Sequence, residues 1–386
     1  MAQFGDFTVD RNSTKYVLGS GGTIISYATD EPAFEFNTDG SYKGLLVEPE
    51  ATNICLQSED FGTTWSKDRI VATSWLNQET APDGNTTADK LIQESGETIA
   101  GYVLQSITLA SAVYTFSVFA KKGTREVINL RTNATGSDLD AWFDTNAGTV
   151  GTVDAGLTGK IEEYPNGWYR CSITYTALAG SRSHWIYNTD TDNTVTVADD
   201  GGYQYVWGAQ VETGPIATSY IPTTTGNVTR NADDITLGSA SSLIGQTEGT
   251  LYVEVDWRLT SGVNQYLLIA SDGTSANRAF IYKSNSDNLT TRVDVGGSNT
   301  QINQSTSGYS GIQKIAYAYA NGDQEFYRNG SSIGTSTASL AALPTLTDID
   351  LGQAFNASQQ ANMWIRAVAL FTRRLSDAEA QALTTL

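Results

Sequence analysis

Cysteine, histidine, methionine and proline are scarce in this chain of 386 residues, which contains two Cys, one His, two Met and seven Pro. Two cysteines, Cys55 and Cys171, do not make a disulfide scaffold, and we interpret them as buried free thiols. The single histidine, His184, excludes the His-rich clusters of many metal-dependent hydrolases, and we interpret it as a structural residue on the strand face of Ile186. The sequence has neither a G-x-S-x-G elbow nor a glycine-rich phosphate loop. We therefore predict that the protein is not an enzyme.

Positive charge is also scarce, since 23 Lys and Arg face 42 Asp and Glu, a formal net charge of −19. Nucleic-acid binding depends on cationic contacts to phosphate, so this balance argues against nucleic acid and against anionic membrane surfaces as partners. The sequence contains no apolar run of about 18 residues, so no membrane insertion is expected. The first 16 residues have neither a basic nor an apolar region, so we expect no secretory signal.

The residues that are abundant favour strands and turns. Hydrophobic residues make up 40% of the chain, and Thr, Ser, Asn, Gly and Tyr dominate the rest. Apolar and polar residues alternate in several segments, which is typical of half-buried strands, while Pro82-Asp-Gly and Pro165-Asn-Gly are turn signals. The inward positions predicted by this alternation are Tyr114, Phe116, Val118, Tyr169, Cys171, Ile173, Tyr175, Leu251, Val253, Val255, Trp257 and Leu259. We predict an all-β fold, with one short helix opened by a Ser376/Glu379 capping box.

The length suits two β-sandwiches, because domains usually contain about 100–200 residues. Residues 1–47 have short, interrupted apolar runs, and we predict an N-terminal arm; a first hairpin of the next domain is the alternative. Residues 48–234 and 235–386 are predicted to form the two antiparallel sandwiches. The polar, Gly/Ser/Thr-rich residues 223–250 are the best linker candidate.

Two long stretches carry a family resemblance. Together they resemble a unit of bacteriophage head-spike and tail-fibre proteins that is similar to jelly-roll carbohydrate-binding modules. The first stretch, from Gly44, is GLLVEPEATNICLQSEDFGTTW, and the second, from Tyr205, is YVWGAQVETGPIATSYIPTTTGNVTRNADDI. The last 140 residues resemble laminin-G or concanavalin A-like domains through three motifs, FYRNG, DIDLG and IRAVALFTRRLSDAEAQAL.

The resemblance implies a virion surface protein that is made in the host cytoplasm and adheres to host or environmental glycans. Its protein partners would be capsid or tail proteins, with the arm as the attachment segment. Fibres are often trimers, so a homotrimer is an expectation, although the sequence shows no coiled-coil heptads. A purely structural capsid decoration without a ligand is the alternative.

A polysaccharide depolymerase is the weaker alternative, and it depends on one strand. Concanavalin A-like glucanases carry E-x-D-x-E on a single strand face, whereas here Glu254 and Asp256 are followed by Arg258. An arginine at the third position cannot act as proton donor or nucleophile.

Aromatic residues beside carboxylates are the candidates for sugar binding, because sugars stack on aromatic faces and hydrogen-bond through their hydroxyls. In DLDAWFDTN, alternation sends Asp140, Trp142 and Asp144 to one face, opposite Leu139, Ala141 and Phe143. We predict a sugar subsite there; packing of Trp142 under a loop is an equal alternative. Trp168 with Arg170 is a second candidate.

Three further aromatic residues on one strand, Tyr203, Tyr205 and Trp207, are interpreted as core residues because they continue into Ala209 and Val211. For Trp185 and Tyr187, the sequence pattern does not distinguish a core position from a binding position.

No cofactor is expected, with calcium as the one open alternative. The acidic turns at Asp190, Asp192 and Asn193 and at 199–201 have suitable oxygen ligands but no EF-hand spacing. Solvated acidic loops are the default interpretation of these turns.

Overall fold

The protein was analysed as a computed structural model, which describes residues 6–258, 264–305 and 311–386. Leu259 lies outside these ranges. The predicted all-β fold is confirmed: two antiparallel β-sandwiches account for most of the described chain.

The N-terminal segment contains five short strands: β1 (Thr8–Asp10), β2 (Lys15–Leu18), β3 (Ile24–Tyr27), β4 (Phe34–Phe36) and β5 (Tyr42–Val47). β2 and β3 form a hairpin. β4 pairs with β5, whereas β1 and β5 also pair with strands that follow much later in the chain, β1 with Asp234–Leu237 and β5 with Met363–Phe371.

The first sandwich consists of thirteen strands: β6 (Ala51–Asn53), β7 (Ser66–Asp68), β8 (Asp89–Ile92), β9 (Tyr102–Leu109), β10 (Val113–Lys122), β11 (Val127–Thr132), β12 (Leu139–Asp144), β13 (Thr149–Val153), β14 (Leu157–Tyr164), β15 (Trp168–Thr176), β16 (Gly180–Asn188), β17 (Tyr203–Thr213) and β18 (Val228–Arg230). A five-stranded sheet, in the order β14-β15-β10-β17-β8, faces a six-stranded sheet, in the order β13-β12-β11-β16-β9-β7. β6 and β18 form a separate ribbon.

The core between these two sheets confirms the predicted alternation along β10 and β15. Phe116 and Val118 from β10 meet Cys171 and Ile173 from β15 there, all fully buried. Cys55 and Cys171 are both buried and free, as predicted. Burial raises the pKa of each thiol, which keeps both protonated and inert.

The second sandwich is formed by eleven strands and one helix: β19 (Asp234–Leu237), β20 (Gly249–Trp257), β21 (Gln265–Ser271), β22 (Arg278–Lys283), β23 (Asn288–Val295), β24 (Ser298–Ser305), β25 (Ile312–Ala320), β26 (Asp323–Arg328), β27 (Ser331–Ser336), β28 (Asp348–Leu351), β29 (Met363–Phe371) and α1 (Asp377–Thr384). Both of its sheets have seven strands, because each takes strands from the N-terminal segment: β1-β19-β28-β21-β22-β23-β24 and β27-β26-β25-β20-β29-β5-β4.

α1 begins with the predicted capping box. The Ser376 hydroxyl accepts from the backbone N–H of Glu379, and Glu379 Oε2 accepts from the backbone N–H of Ser376 at 2.9 Å. The reciprocal bonds satisfy two backbone donors that the helix cannot satisfy itself.

The prediction that residues 1–47 form a separate arm is corrected by the structure, in which part of this segment belongs to the second sandwich. Leu45 and Val47 of β5 lie in the core of the second sandwich, and β5 pairs with β29. These apolar residues have no core among their sequence neighbours, so they are buried by the far end of the chain. The predicted linker at 223–250 is also partly ordered, since it contains β18 and β19.

Candidate functional site

Asp140, Trp142 and Asp144 share the outer face of β12, as alternation predicts, because Ala141 and Phe143 are buried in the core. Asp140 accepts from Arg131 Nε at 2.8 Å and Nη2 at 2.9 Å. Asp144 accepts two backbone N–H groups in the following turn. Trp142 is only 5% exposed, so the expectation of an exposed ring is wrong.

A crossing segment at 189–199 covers part of the same sheet face. Asp192 accepts from the backbone N–H and the hydroxyl of Thr152 on β13, both at 2.9 Å. Val195 and Val197 pack with Tyr187, whose neighbours include the half-buried Trp185. Strand periodicity cannot predict this cover, because it is made by a loop from elsewhere in the chain.

Trp168 and Arg170 lie on the outer face of the five-stranded sheet, but that face is also covered. Trp168 is 1% exposed and donates from Nε1 to the Thr80 carbonyl at 3.0 Å. Arg170 is buried over the Phe119 ring and donates to the Thr218 carbonyl at 2.5 Å. The prediction that this pair is available to a ligand from solvent is therefore wrong.

The cover over the five-stranded sheet includes the β2–β3 hairpin. Ile24 packs with Phe119, Trp168 and Trp207, and its backbone N–H donates to the Pro82 carbonyl at 2.8 Å. The opposite side of the hairpin faces the second sandwich, where Val17 packs with Trp364. The hairpin is thus held between the two sandwiches.

An open cleft of about 350 Å³ remains where this hairpin meets the first sandwich. Its lining residues come from the hairpin and from three loops and one strand of the sandwich: Tyr16, Ile24, Ile25, Ser26, Glu59, Asp83, Asn85, Trp207 and Tyr220.

The aromatic floor of the cleft is formed by Trp207 and Tyr220, whose ring centroids are 4.5 Å apart. Trp207 is 1% exposed and donates from Nε1 to Thr87 Oγ1 at 3.0 Å. The half-buried Tyr16 ring stands edge-on to Tyr220 at 6.4 Å, and Ile25 is 39% exposed at the rim. The rim therefore offers apolar surface above a rigid floor.

Trp207 reaches the cleft because of a β-bulge. Pairing between β10 and β17 shifts register next to Gly208, whose φ is +65°. Val206, Ala209 and Val211 consequently face the core, while Trp207 faces outward. The interpretation that Trp207 shares a core face with Ala209 and Val211 is wrong, because a bulge adds one residue to the alternation.

Two carboxylates stand in the cleft. Glu59 Oε1 accepts from the Tyr220 hydroxyl at 2.9 Å, and that hydroxyl also lies 2.8 Å from Ser58 Oγ. Burial raises the pKa of Glu59, and the neighbouring Asp83 raises it further. Asp83 holds the turn through Asn85, whose backbone N–H and side-chain amide donate to it at 3.0 and 2.8 Å.

Aromatic and aliphatic surface beside carboxylate and amide groups is suited to a sugar, which has both C–H faces and hydroxyls. Tyr16, Glu59 and Asp83 are not among the binding residues that the sequence predicts. Pro82-Asp-Gly predicts a turn at Asp83, but no local pattern connects these three positions, which only the packed hairpin brings together.

A second cleft, of about 310 Å³, lies between the N-terminal segment and the two sandwiches. Its polar groups are paired with one another: Trp364 Nε1 donates to Glu35 at 3.0 Å, and Lys43 Nζ lies 3.4 Å from the same carboxylate. A third cleft, of about 530 Å³, is lined by aliphatic, hydroxyl and amide side chains.

The acidic residues of the depolymerase alternative are engaged in ion pairs or partly buried. Glu254 pairs with Arg366 at 2.8 Å, and Asp256 is half-buried beside it on β20. Arg258 is bound to Glu48 and to the Ala217 carbonyl. Of the three positions compared with the glucanase motif, only Arg258 thus contacts the first sandwich, through the Ala217 carbonyl.

No group of three or more His, Cys, Asp or Glu side chains within the described ranges could hold a metal ion. Of the two turns considered for calcium, one has Asp192 bound to Thr152 and the other has Asp200 paired with Arg125 at 2.9 Å. Calcium stays a prediction. Among the helices in the same ranges, none combines the length and apolarity needed to cross a bilayer.

No family model matches the sequence, and no curated protein matches it. Among solved structures, the chain is similar to the CBM40 domain of the Ruminococcus gnavus IT-sialidase bound to α2,3-sialyllactose, with 18% identity, a TM-score of 0.33, and coverage of 38% of this chain and 86% of that one. It is also similar to the SAP-like pentraxin of Limulus polyphemus, with 14% identity, a TM-score of 0.31 and coverage of 37% and 72%. A botulinum neurotoxin type C structure, described as interacting with two ganglioside molecules, matches with 17% identity, a TM-score of 0.33 and coverage of 40% of each chain.

Proposed function

We propose that this chain is a carbohydrate-binding protein and that the cleft lined by Tyr16, Glu59, Asp83, Trp207 and Tyr220 receives the glycan. The observation that carries the proposal is the meeting of aromatic rings, an exposed isoleucine and two carboxylates in one open cleft. Tyr16 and Ile25 would contact the C–H faces of a sugar ring, while the carboxylates and Asn85 would bind its hydroxyls.

Binding without hydrolysis is part of the proposal. A glycosidase needs one carboxylic acid as proton donor and a second carboxylate as nucleophile or base. In the cleft, Glu59 is bound to Tyr220, and Asp83 is bound to its own turn through Asn85. Release of reducing ends from a bound oligosaccharide would contradict this part of the proposal.

A glycan array tests the proposed site through the Tyr16→Ala variant. We expect the wild-type protein to bind a subset of glycans and Tyr16→Ala to lose at least about tenfold in affinity, because the contacting ring is removed. Tyr27→Ala is the matched control: Tyr27 belongs to the same hairpin, but its ring packs near Val17 and Trp364 and its hydroxyl donates to the Phe34 carbonyl. Equal binding by all three proteins would remove the cleft from consideration.

We further propose that the protein is displayed on a bacteriophage virion, with capsid or tail proteins as partners and a homotrimer as its form. The support is the resemblance of the stretches from Gly44 and Tyr205 to head-spike and tail-fibre proteins. Mass spectrometry of gradient-purified particles from the phage that encodes the chain should detect it at tens to hundreds of copies, on the order expected of a repeated surface protein. Its absence from particles would refute this placement.

A structural decoration without a ligand is the second candidate function. The burial of Trp142 and Trp168 favours it, because the aromatic residues first predicted to bind sugars serve packing instead. The same glycan array separates the two candidates, since a decoration protein would bind no glycan.

A further inference from the structure

We propose that the cleft beside the β2–β3 hairpin selects uncharged or amino sugars and rejects sugars that carry a carboxylate or sulfate. The inference rests on the proposed glycan-binding function of the same cleft and names the class of ligand. Three observations carry it: the charges of the lining residues, the field they produce and the balance of donors and acceptors.

The only formally charged residues among the nine that the structure places around the cleft are Glu59 and Asp83. Lysine, arginine and histidine are absent from this lining. Recognition of a carboxylate or sulfate usually employs a charge-assisted bond from arginine or lysine. An anionic sugar would find no such cation here and would face two carboxylates at close range.

The electrostatic potential expected inside the cleft is negative, because its two charged residues, Glu59 and Asp83, are both acidic. The pKa values of Glu59, Tyr16 and Tyr220 are all raised, by burial first. Neighbouring carboxylates raise each of them as well: Asp83 acts on Glu59, and Glu59 acts on both tyrosines. The charges of Glu59 and Asp83 thus disfavour a further negative charge in the cleft, and the net charge of −19 adds long-range repulsion of anions.

The hydrogen-bonding groups point to the same class. The carboxylates of Glu59 and Asp83 are acceptors when ionised, and they match the hydroxyl or ammonium donors of a neutral or amino sugar. A sugar carboxylate has only acceptors and would lose its bonds to water without replacement. Asp83 lies in an open turn, so its charge acts directly on a ligand at the rim.

Matched pairs of glycans that differ in charge provide the test. Lactose and 3′-sialyllactose form one pair, chitohexaose and its deacetylated form a second, and the neutral methyl ester of hexagalacturonate and free hexagalacturonate a third. We expect every anionic member to bind at least about tenfold more weakly than its neutral counterpart, or not at all, and the cationic deacetylated hexamer to bind at least as well as chitohexaose.

Reversing the charge at the rim sharpens the test. Asp83→Lys should raise the ratio of 3′-sialyllactose to lactose binding about tenfold or more, while Asp138→Lys, an exposed substitution elsewhere on the first sandwich, should leave the ratio unchanged. The Asp83→Asn variant, with its smaller change, keeps the comparison meaningful if Asp83→Lys disturbs the turn, and it should move the ratio in the same direction.

The two possible failures are distinct. Preferred binding of an anionic glycan that is lost in Tyr16→Ala would overturn the selectivity and leave the glycan-binding function of the cleft intact. Binding of no array member, or binding that is insensitive to both Tyr16→Ala and Asp83→Lys, would overturn the proposed function together with the inference.

Discussion

At the scale of single residues, aromatic side chains of this protein serve mainly as packing material. Trp142 and Trp168 point away from the core of their own sandwich, as alternation requires, and both are still buried. Trp168 is covered by segments from elsewhere in the chain, including the β2–β3 hairpin. Facing away from one core is therefore not the same as facing solvent.

Trp142→Ala tests this packing role. Removing a buried indole leaves a cavity, and we expect a loss of about 3–5 kcal/mol in the free energy of unfolding, measured by urea denaturation. Trp185→Ala is a comparison on the same sheet face, with a half-buried ring and a smaller expected loss. A loss below about 1 kcal/mol for Trp142→Ala would show that the ring contributes little to packing.

His184 makes stability depend on pH. Burial lowers the pKa of His184 to about 3, and its Nε2 lies 2.5 Å from the Tyr175 hydroxyl. The unfolded chain takes up a proton below about pH 6.5 and the folded chain does not, so stability falls as pH drops from about 6.5 towards 3.

A pH series of denaturation curves measures this effect by comparing wild type with His184→Gln. The stability advantage of the wild type should shrink by about 2 kcal/mol between pH 7 and pH 5, since each pH unit in this window contributes up to about 1.4 kcal/mol. A difference that stays constant over this range would mean that His184 takes up its proton equally in the folded and the unfolded chain.

At the scale of elements, the N-terminal strands complete the second sandwich. β1 pairs with β19 at one end of the first seven-stranded sheet, and β5 pairs with β29 in the other. Both ends of the chain therefore meet in one domain, and the first sandwich is inserted between them. This arrangement resembles a domain insertion, which is compatible with folding when the inserted ends lie close together.

Leu45→Ala tests whether β5 is a structural part of the second sandwich. Leu45 is buried in that core, so we expect a loss of about 2–5 kcal/mol in its free energy of unfolding. Ile25→Ala removes a similar side chain that is 39% exposed and should cost less than about 1 kcal/mol. Equal effects of the two substitutions would indicate that residues 8–47 attach only loosely.

At the scale of the whole molecule, a buried cluster of charges joins the N-terminal segment to both sandwiches. Asp233 accepts from Arg11 at 2.9 Å and from Lys15 at 2.6 Å, and Glu48 pairs with Lys15 at 3.2 Å. Glu48 also contacts two buried arginines, Arg230 and Arg258. Two carboxylates thus compensate four cations, with backbone carbonyls as further acceptors.

Glu48→Gln should destabilise the molecule by about 3–5 kcal/mol, because it leaves several buried cations without their counter-ion. Burial opposes the ionised form of Glu48, but Arg230, Lys15 and Arg258 outweigh burial and hold its pKa well below the usual range. Its contribution to stability is therefore complete above about pH 4.5 and is lost as pH falls further.

Calorimetry of wild type and Glu48→Gln between pH 4 and pH 7 measures this contribution, with the exposed Glu163→Gln as the matched control. A Glu48→Gln transition within about 1 °C of the wild type would show that the cluster contributes little to the junction.

The sequence by itself determined the fold class, the inward faces of β10, β15 and β20, the free thiols and the capped helix. These features depend on local chemistry: alternation along a strand, the number of cysteines and the spacing of Ser376 and Glu379. Only the tertiary structure decided that β1, β4 and β5 belong to the second sandwich, that Trp142 and Trp168 are buried, and that a bulge at Gly208 turns Trp207 outward. The cleft belongs to this second group, because Tyr16 and Glu59 meet Tyr220 only through contacts between distant segments, which no local pattern encodes.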